Sequence, residues 1–166
     1  MSKVSLIPDY CKNVNEIVSL AEKYQDKFFV RAPGEEFNFV TAYGESSLKS
    51  MFRWNMPEDL KELIYESLPE EDKSCDGFCI NRYDPGDYLK KHRDSAGGYW
   101  KFKLIFLRAD APHFKWYDDE TEIGYLVDEK PGMLIDMPVN LPHEVTKIGD
   151  NERPKFSLAL SWGRTQ

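Results

Sequence analysis

The stretch Asn81-Arg82-Tyr83-Asp84-Pro85-Gly86-Asp87-Tyr88-Leu89-Lys90-Lys91-His92-Arg93-Asp94 decides how the chain is read. Residues 77–83 and 87–92 read as short strands, with Asp84-Pro85-Gly86 as the turn between them. Strand side chains alternate with period two, so His92 and Asp94 project from one face while Arg93 points to the other. His143 lies further on, in Leu141-Pro142-His143-Glu144-Val145, at the head of another strand-like run. A second histidine brought in from a distant strand completes a triangle of metal-binding groups. The chain has 3 histidines, and two of them belong to this pattern.

Working outward, further strand-like runs follow at 101–107, 113–117, 122–127, 132–136, 143–147 and 155–162. Turns at Ala96-Gly97-Gly98, Ala111-Pro112, Lys130-Pro131-Gly132 and Gly149-Asp150-Asn151 separate several of them. Many short strands in succession predict a mainly β chain with flanking α-helices, in a double-stranded β-helix (jelly roll, cupin-like). On the N-terminal side, Asn13 to Lys27 reads as an amphipathic helix with Asn13 as N-cap, and Asn55-Met56-Pro57 opens a second helix to about Leu68. Phe28–Val30 and Phe37–Thr41 read as strands between these helices. The helices are expected to pack outside one sheet. Residues 1–166 are read as one domain: helical and strand support over about 1–75 and a jelly-roll core over about 77–164.

Composition narrows the function. The 41% hydrophobic and 14% aromatic content suits one substantial core. A net charge of −7 argues against tight nonspecific nucleic-acid binding, which rests on Lys and Arg neutralising phosphates. No signal peptide and no apolar run of transmembrane length stands out, so no membrane partner is expected. Cys11, Cys75 and Cys79 are read as reduced thiols of a cytoplasmic protein, with structural or incidental roles. A monomer or weak dimer is expected. His113, in the apolar run Pro112-His113-Phe114-Lys115-Trp116, is read as an ordinary partly buried histidine.

His92, Asp94 and His143 are the predicted metal ligands and the catalytic centre. Two imidazoles and one carboxylate on one face of a metal leave the opposite face open, the facial triad of non-heme Fe(II) oxygenases. Iron is preferred over zinc because structural zinc fills four protein positions, often with cysteine. Zinc, nickel or cobalt can also occupy such a site.

Near the C-terminus, Pro142-His143-Glu144-Val145 is followed by Lys155-Phe156-Ser157-Leu158-Ala159-Leu160-Ser161-Trp162. Together with the stretch at 81–94, this resembles the Y-x-x-G…H-x-D…H-x-V…S-L…W pattern of the 2-oxoglutarate/Fe(II)-dependent dioxygenases, prolyl 4-hydroxylase-like group. The resemblance spans about residues 77–164. It implies a double-stranded β-helix holding Fe(II) and 2-oxoglutarate and using O2. The cosubstrate's 1-carboxylate and keto oxygen would chelate the metal, and its 5-carboxylate would meet a basic side chain of the last strand. Lys155 is the favoured cation. In that strand Lys155, Ser157, Ala159 and Ser161 share one face, so a cation on this small, polar side reaches a buried carboxylate with Ser157 beside it. Arg153 is the rival, set back in the loop by Pro154. Tyr83 stands where the family often has a tyrosine near the cosubstrate. The chain departs from the pattern at Lys103-Leu104-Ile105-Phe106-Leu107, where several prolyl hydroxylases place a tyrosine on the 5-carboxylate.

The resemblance implies hydroxylation of a C–H bond with release of succinate and CO2. A protein or peptide side chain such as proline is the first substrate reading. An AlkB-like activity on nucleic-acid bases is the second, for which Arg31, Lys49, Arg53, Trp54 and Lys101 offer a basic-aromatic patch. A small metabolite is the third. The alternative outside catalysis is a jelly-roll binding module that retains a metal.

Overall fold

The computed structural model describes residues 4–30 and 47–163. Its elements are β1 (Ser5–Ile7), α1 (Val14–Lys23), β2 (Phe29–Val30), β3 (Lys49–Phe52), α2 (Glu58–Ser67), β4 (Gly77–Tyr83), β5 (Leu89–His92), β6 (Lys101–Arg108), β7 (Phe114–Tyr117), β8 (Gly124–Leu126), β9 (Leu134–Asp136), β10 (His143–Val145) and β11 (Lys155–Trp162). All the pairings are antiparallel. One sheet runs β1-β9-β6-β11-β4-β3-β2 and the other β5-β10-β7-β8. Each strand read from the sequence after residue 77 has its counterpart; β1 and β3 were not foreseen. The strand expected at Phe37–Thr41 lies outside the described residues, as does Arg31.

Alternation in β11 organises the two layers. Phe156, Leu158, Leu160 and Trp162 face the helices, in a core with Ile17, Val18 and Ala21 of α1, Leu60 and Ile64 of α2, and Met51, Ile80, Ile105 and Leu107 of the sheet. Ala159 faces the other way, into a core between the sheets with Leu104, Phe106, Phe114, Ile135 and Val145. Each fully buried aliphatic or aromatic side chain here contributes about 1.5–3 kcal/mol. The helices thus cover the outer face of the larger sheet, leaving the space between the sheets for a site.

Both helices begin near their expected points; α2 ends where expected, with Leu68 as its C-cap, while α1 stops at Lys23, short of Lys27. Asn13 occupies the N-cap position of α1 in a left-handed conformation without capping through its side chain. Its amide instead donates to Ser67 Oγ at 3.1 Å, joining the start of α1 to the end of α2. Tyr24 OH donates to Asp59 at 2.8 Å and ties the helices a second time.

Lys103 is the polar exception in the outer layer. Its ammonium donates to Asp72 at 2.7 Å and to Tyr10 OH at 2.8 Å. Tyr10 OH donates to the second oxygen of Asp72. Asp72 is fully buried and Lys103 nearly so. Burial, helped by the neighbouring carboxylate, pushes the Tyr10 hydroxyl up to about 12.

Turn chemistry sets the strand that carries His92. Gly86 lies at φ 91° between β4 and β5, a conformation that costs glycine little and other residues more. Asp87 accepts from Ser47 Oγ at 2.7 Å, Lys49 Nζ at 3.1 Å and the Asp84 amide at 2.8 Å, which fixes this turn against β3. Cys11, Cys75 and Cys79 form no disulfide among the described residues. No helix among the described residues is long and apolar enough to cross a membrane.

Candidate metal centre

His92 ends β5 and His143 begins β10, and the two strands pair with these residues directly opposite. Cross-strand partners project from the same face, so both rings enter the space between the sheets, 4.3 Å apart. Asp94 opens a short 3-10 turn, Asp94–Gly97. The Ser95 amide donates to the Val139 carbonyl at 2.9 Å, and Gly98 closes the turn at φ 89°. Asp94 is thereby held under the imidazoles, 3.4 Å from His92 Nε2 and 3.4 Å from His143 Nε2. One ligand atom from each of the three residues lies within 4.8 Å of the others. All three side chains are buried. Arg93 turns outward as expected, reaching Asp119 at 3.2 Å and the Asn140 carbonyl.

The proton positions favour a cation. His92 Nδ1 lies 2.7 Å from the Lys90 carbonyl and His143 Nδ1 2.9 Å from the Leu141 carbonyl. A carbonyl only accepts, so each Nδ1 donates, and each neutral ring presents the Nε2 lone pair to the centre. Asp94 Oδ2 is buried and has no hydrogen-bond partner among the described residues. Two lone-pair atoms, Oδ2 and the Nε2 of a neutral His143, therefore face each other at 3.4 Å. A proton on Nε2 or a metal ion resolves the repulsion. Burial alone raises the Asp94 carboxyl, but the His143 and His92 imidazoles outweigh it and hold it far below the usual carboxylate range. Burial lowers His92. Burial opposes charge on His143 too, yet the Asp94 carboxylate overcomes this and raises it. An orphaned buried carboxylate oxygen and two oriented imidazoles, with the Phe114 ring against one of them, fit a divalent first-row metal, Fe(II) included.

Lys155 lies on the inner face of β11, directly opposite Tyr83 of β4. It is 2% exposed and its ammonium sits 5.0 Å from the centre of the Phe106 ring. Rings link it to the candidate ligand His143: Phe106 to Phe114 at 5.6 Å, and Phe114 to His143 at 5.4 Å. Ser157, next on the same face, is also buried. Arg153 is elsewhere. Its guanidinium and backbone amide bind exposed Asp110, and its side chain is 64% exposed. Phe106 occupies the inward face of the strand where the tyrosine is missing.

Sequence reading overlooked Glu129. It lies in the loop between β8 and β9, beside the Lys130-Pro131-Gly132 turn, and no local pattern separates it from a surface acid. One of its oxygens pairs with Lys155; the other accepts the amides of His113 at 2.7 Å and Phe114 at 2.9 Å. Burial lowers the Lys155 ammonium, with the Glu129 carboxylate acting against it.

Sequence reading also overlooked a row of side chains. His143 stands opposite Trp116 of β7, and Trp116 opposite Tyr125 of β8. With His92 this gives four in-register residues across the small sheet. Trp116 and Tyr125 stack at 4.6 Å, and Tyr125 is 44% exposed. A cavity of about 270 Å³ adjoins His92 between Tyr117, Pro142 and the β7–β8 turn. His113 is used structurally, between Thr146 Oγ1 at 2.8 Å and Glu152 at 2.7 Å. Arg31 of the basic-aromatic patch lies outside the described residues, and among the described ones its cations have partners within the fold. Lys49 is held by Asp84 and Asp87, and Arg53 by Tyr65 and the carbonyls of Cys75 and Asp76, while Lys101 covers Trp162.

No family model matches the chain, and no curated protein matches it. Solved structures do. A prolyl-4-hydroxylase from Pseudomonas putida is 13% identical, with TM-score 0.64 over 99% of this chain and 94% of its own. A prolyl hydroxylase from Trichoplax adhaerens, in complex with a hypoxia inducible factor peptide fragment, is 14% identical, with TM-score 0.68 over 97% and 83%. OsALKBH1 is 15% identical, with TM-score 0.61 over 95% and 97%. The fold is therefore the double-stranded β-helix of the 2-oxoglutarate/Fe(II) oxygenases, with the helices on the outer face of the larger sheet.

Proposed function

We propose that this chain is an Fe(II)- and 2-oxoglutarate-dependent dioxygenase that hydroxylates a C–H bond of a protein or peptide side chain, proline being the first choice. The observation that carries the proposal is the convergence of His92, Asp94 and His143 around a buried carboxylate oxygen with no donor. In such a centre bound iron supplies the oxidising chemistry: O2 and 2-oxoglutarate give succinate and CO2, and one oxygen atom enters the substrate C–H bond.

The chain's own residues have separate tasks. His92 and His143 offer neutral Nε2 atoms because the Lys90 and Leu141 carbonyls hold the Nδ1 protons. Asp94 supplies the negative charge, lodged on the 3-10 turn. Lys155, with Tyr83 and Ser157 around it, offers the polar inner face of β11 to the far end of the cosubstrate. Phe106 and Phe114 keep water from the space between. Trp116 and Tyr125, level with the imidazoles, form a flat wall on which a ring of the substrate can rest.

Peptide substrates are preferred for two reasons. Two of the similar structures are prolyl hydroxylases, one of them complexed with a peptide. Lys49 and Arg53 are engaged within the fold, and the chain carries −7. The test is anaerobic reconstitution with Fe(II), then exposure to O2 and 2-oxoglutarate with proline-containing peptides and methylated oligonucleotides in parallel. Succinate formation together with a peptide gaining one oxygen atom is the expected result. Loss of a methyl group from an oligonucleotide would move the chain to the AlkB-like reading. Full metal occupancy without any succinate would leave a binding module.

A further inference from the structure

The Lys155–Glu129 pair alters what the cosubstrate subsite recognises. A lysine at this point is expected to meet a distal carboxylate with its full charge. Here that charge is already compensated. Glu129 pairs with the ammonium, and the two side chains are 2% and 1% exposed. The carboxylate is not free to swing aside, because its other oxygen accepts both the His113 and Phe114 amides and is pinned to β7. Among the described residues, Tyr83 stands opposite Lys155 on β4 and the Phe106 ring of β6 lies 5.0 Å from the ammonium, and neither brings a formal charge.

A second carboxylate entering this subsite would place two negative charges around one ammonium in a space closed to water. Their repulsion is weakly screened there. A neutral distal end meets no such cost.

We infer that Glu129 is a specificity-determining residue of this subsite, neutralising Lys155 so that a 2-oxo acid is selected by its chelating end and chain length, with little gain from a distal carboxylate. The inference rests on the proposed function, since it takes 2-oxo acids as ligands of the same centre. It also explains why the third-strand tyrosine is dispensable: a subsite that gains little from a distal carboxylate has no need of another donor to it.

The experiment is calorimetric titration of the full chain, loaded anaerobically with Mn(II), with 2-oxoglutarate and with 2-oxopentanoate. The second ligand has the same chelating end and chain and a methyl group in place of the distal carboxylate. An uncompensated buried lysine would favour the dicarboxylate by on the order of a hundredfold or more. The expected wild-type preference is below about thirtyfold, and Glu129→Gln, which removes the charge at nearly constant shape, should tighten 2-oxoglutarate by roughly tenfold or more while leaving 2-oxopentanoate nearly unchanged. A wild-type preference above that limit, or a ratio that Glu129→Gln leaves unmoved, overturns the inference while the function stands. The wild-type comparison decides even if the variant fails to fold. Binding of neither acid to Mn(II)-loaded protein overturns both the function and the inference.

Discussion

His143 stands directly opposite His92 across the β5–β10 ladder, and the two Nε2 atoms close on Asp94 from 3.4 Å each. This one register places the triangle. A slip by one residue would send either ring to the other face of its strand.

The first prediction concerns occupancy. Adding Fe(II) anaerobically, or Co(II), should raise the melting temperature of the wild type, since a ligand at a hundred times its Kd stabilises by about 2.7 kcal/mol. Asp94→Asn should lose most of this rise, because the variant removes the one anionic ligand of the triangle. A metal-dependent rise of wild-type size in the variant would refute the ligand assignment.

A second prediction concerns pH. A metal needs both Nε2 lone pairs, so protons compete with it. The Asp94 carboxylate raises His143 against the effect of burial, so in the apo protein the competing proton is held above the ordinary imidazole range. Metal affinity should fall as pH is lowered, and the fall should begin above pH 6.5, the ordinary imidazole value. Co(II) absorbance titrated at several pH values measures this. An affinity constant from pH 8 down to pH 6 would count against it, as that range brackets the imidazole titration.

The substrate wall can be separated from the metal. Trp116→Ala should raise the KM for the substrate by roughly tenfold, the equivalent of about 1.4 kcal/mol of lost stacking and burial. Succinate formation without substrate should change little. Equal losses in both would place Trp116 in the support of His143, its cross-strand neighbour.

Lys155 and Arg153 should behave as differently as their surroundings. Lys155→Ala strands the buried Glu129 carboxylate and should cost about 3–5 kcal/mol in urea unfolding. Arg153→Ala breaks an exposed pair with Asp110 and should cost at most about 1 kcal/mol, with cosubstrate affinity unchanged. A loss of cosubstrate affinity confined to Arg153→Ala would reverse the assignment.

The outer layer offers a stability test away from the site. Asp72→Ala leaves the Lys103 ammonium buried with only the Tyr10 hydroxyl, and should cost about 3–5 kcal/mol. The double variant Asp72→Asn, Lys103→Met should recover much of it. A cost under about 1 kcal/mol for Asp72→Ala would mean that Lys103 escapes to water.

Much of this architecture was legible before any coordinates. Strand alternation is a local property, so the outward turn of Arg93, the shared face of Lys155, Ser157 and Ala159, and the opposite apolar face of β11 could be read from neighbouring residues. Asn13 shows the limit: its position at the start of α1 was readable, but its partner Ser67 is more than fifty residues away and took the side chain from the helix end.

By itself, then, the amino-acid sequence determined the order of strands, the face each side chain takes and the three residues able to hold a metal. Only the tertiary structure decided that Glu129 sits on Lys155, that Arg153 stays with Asp110, and that Trp116 and Tyr125 extend the row of imidazoles. Period-two alternation is written into each strand. Register between strands and contacts from loop to strand are settled by burial and charge compensation among groups far apart in the chain, and nothing in the neighbouring residues encodes them.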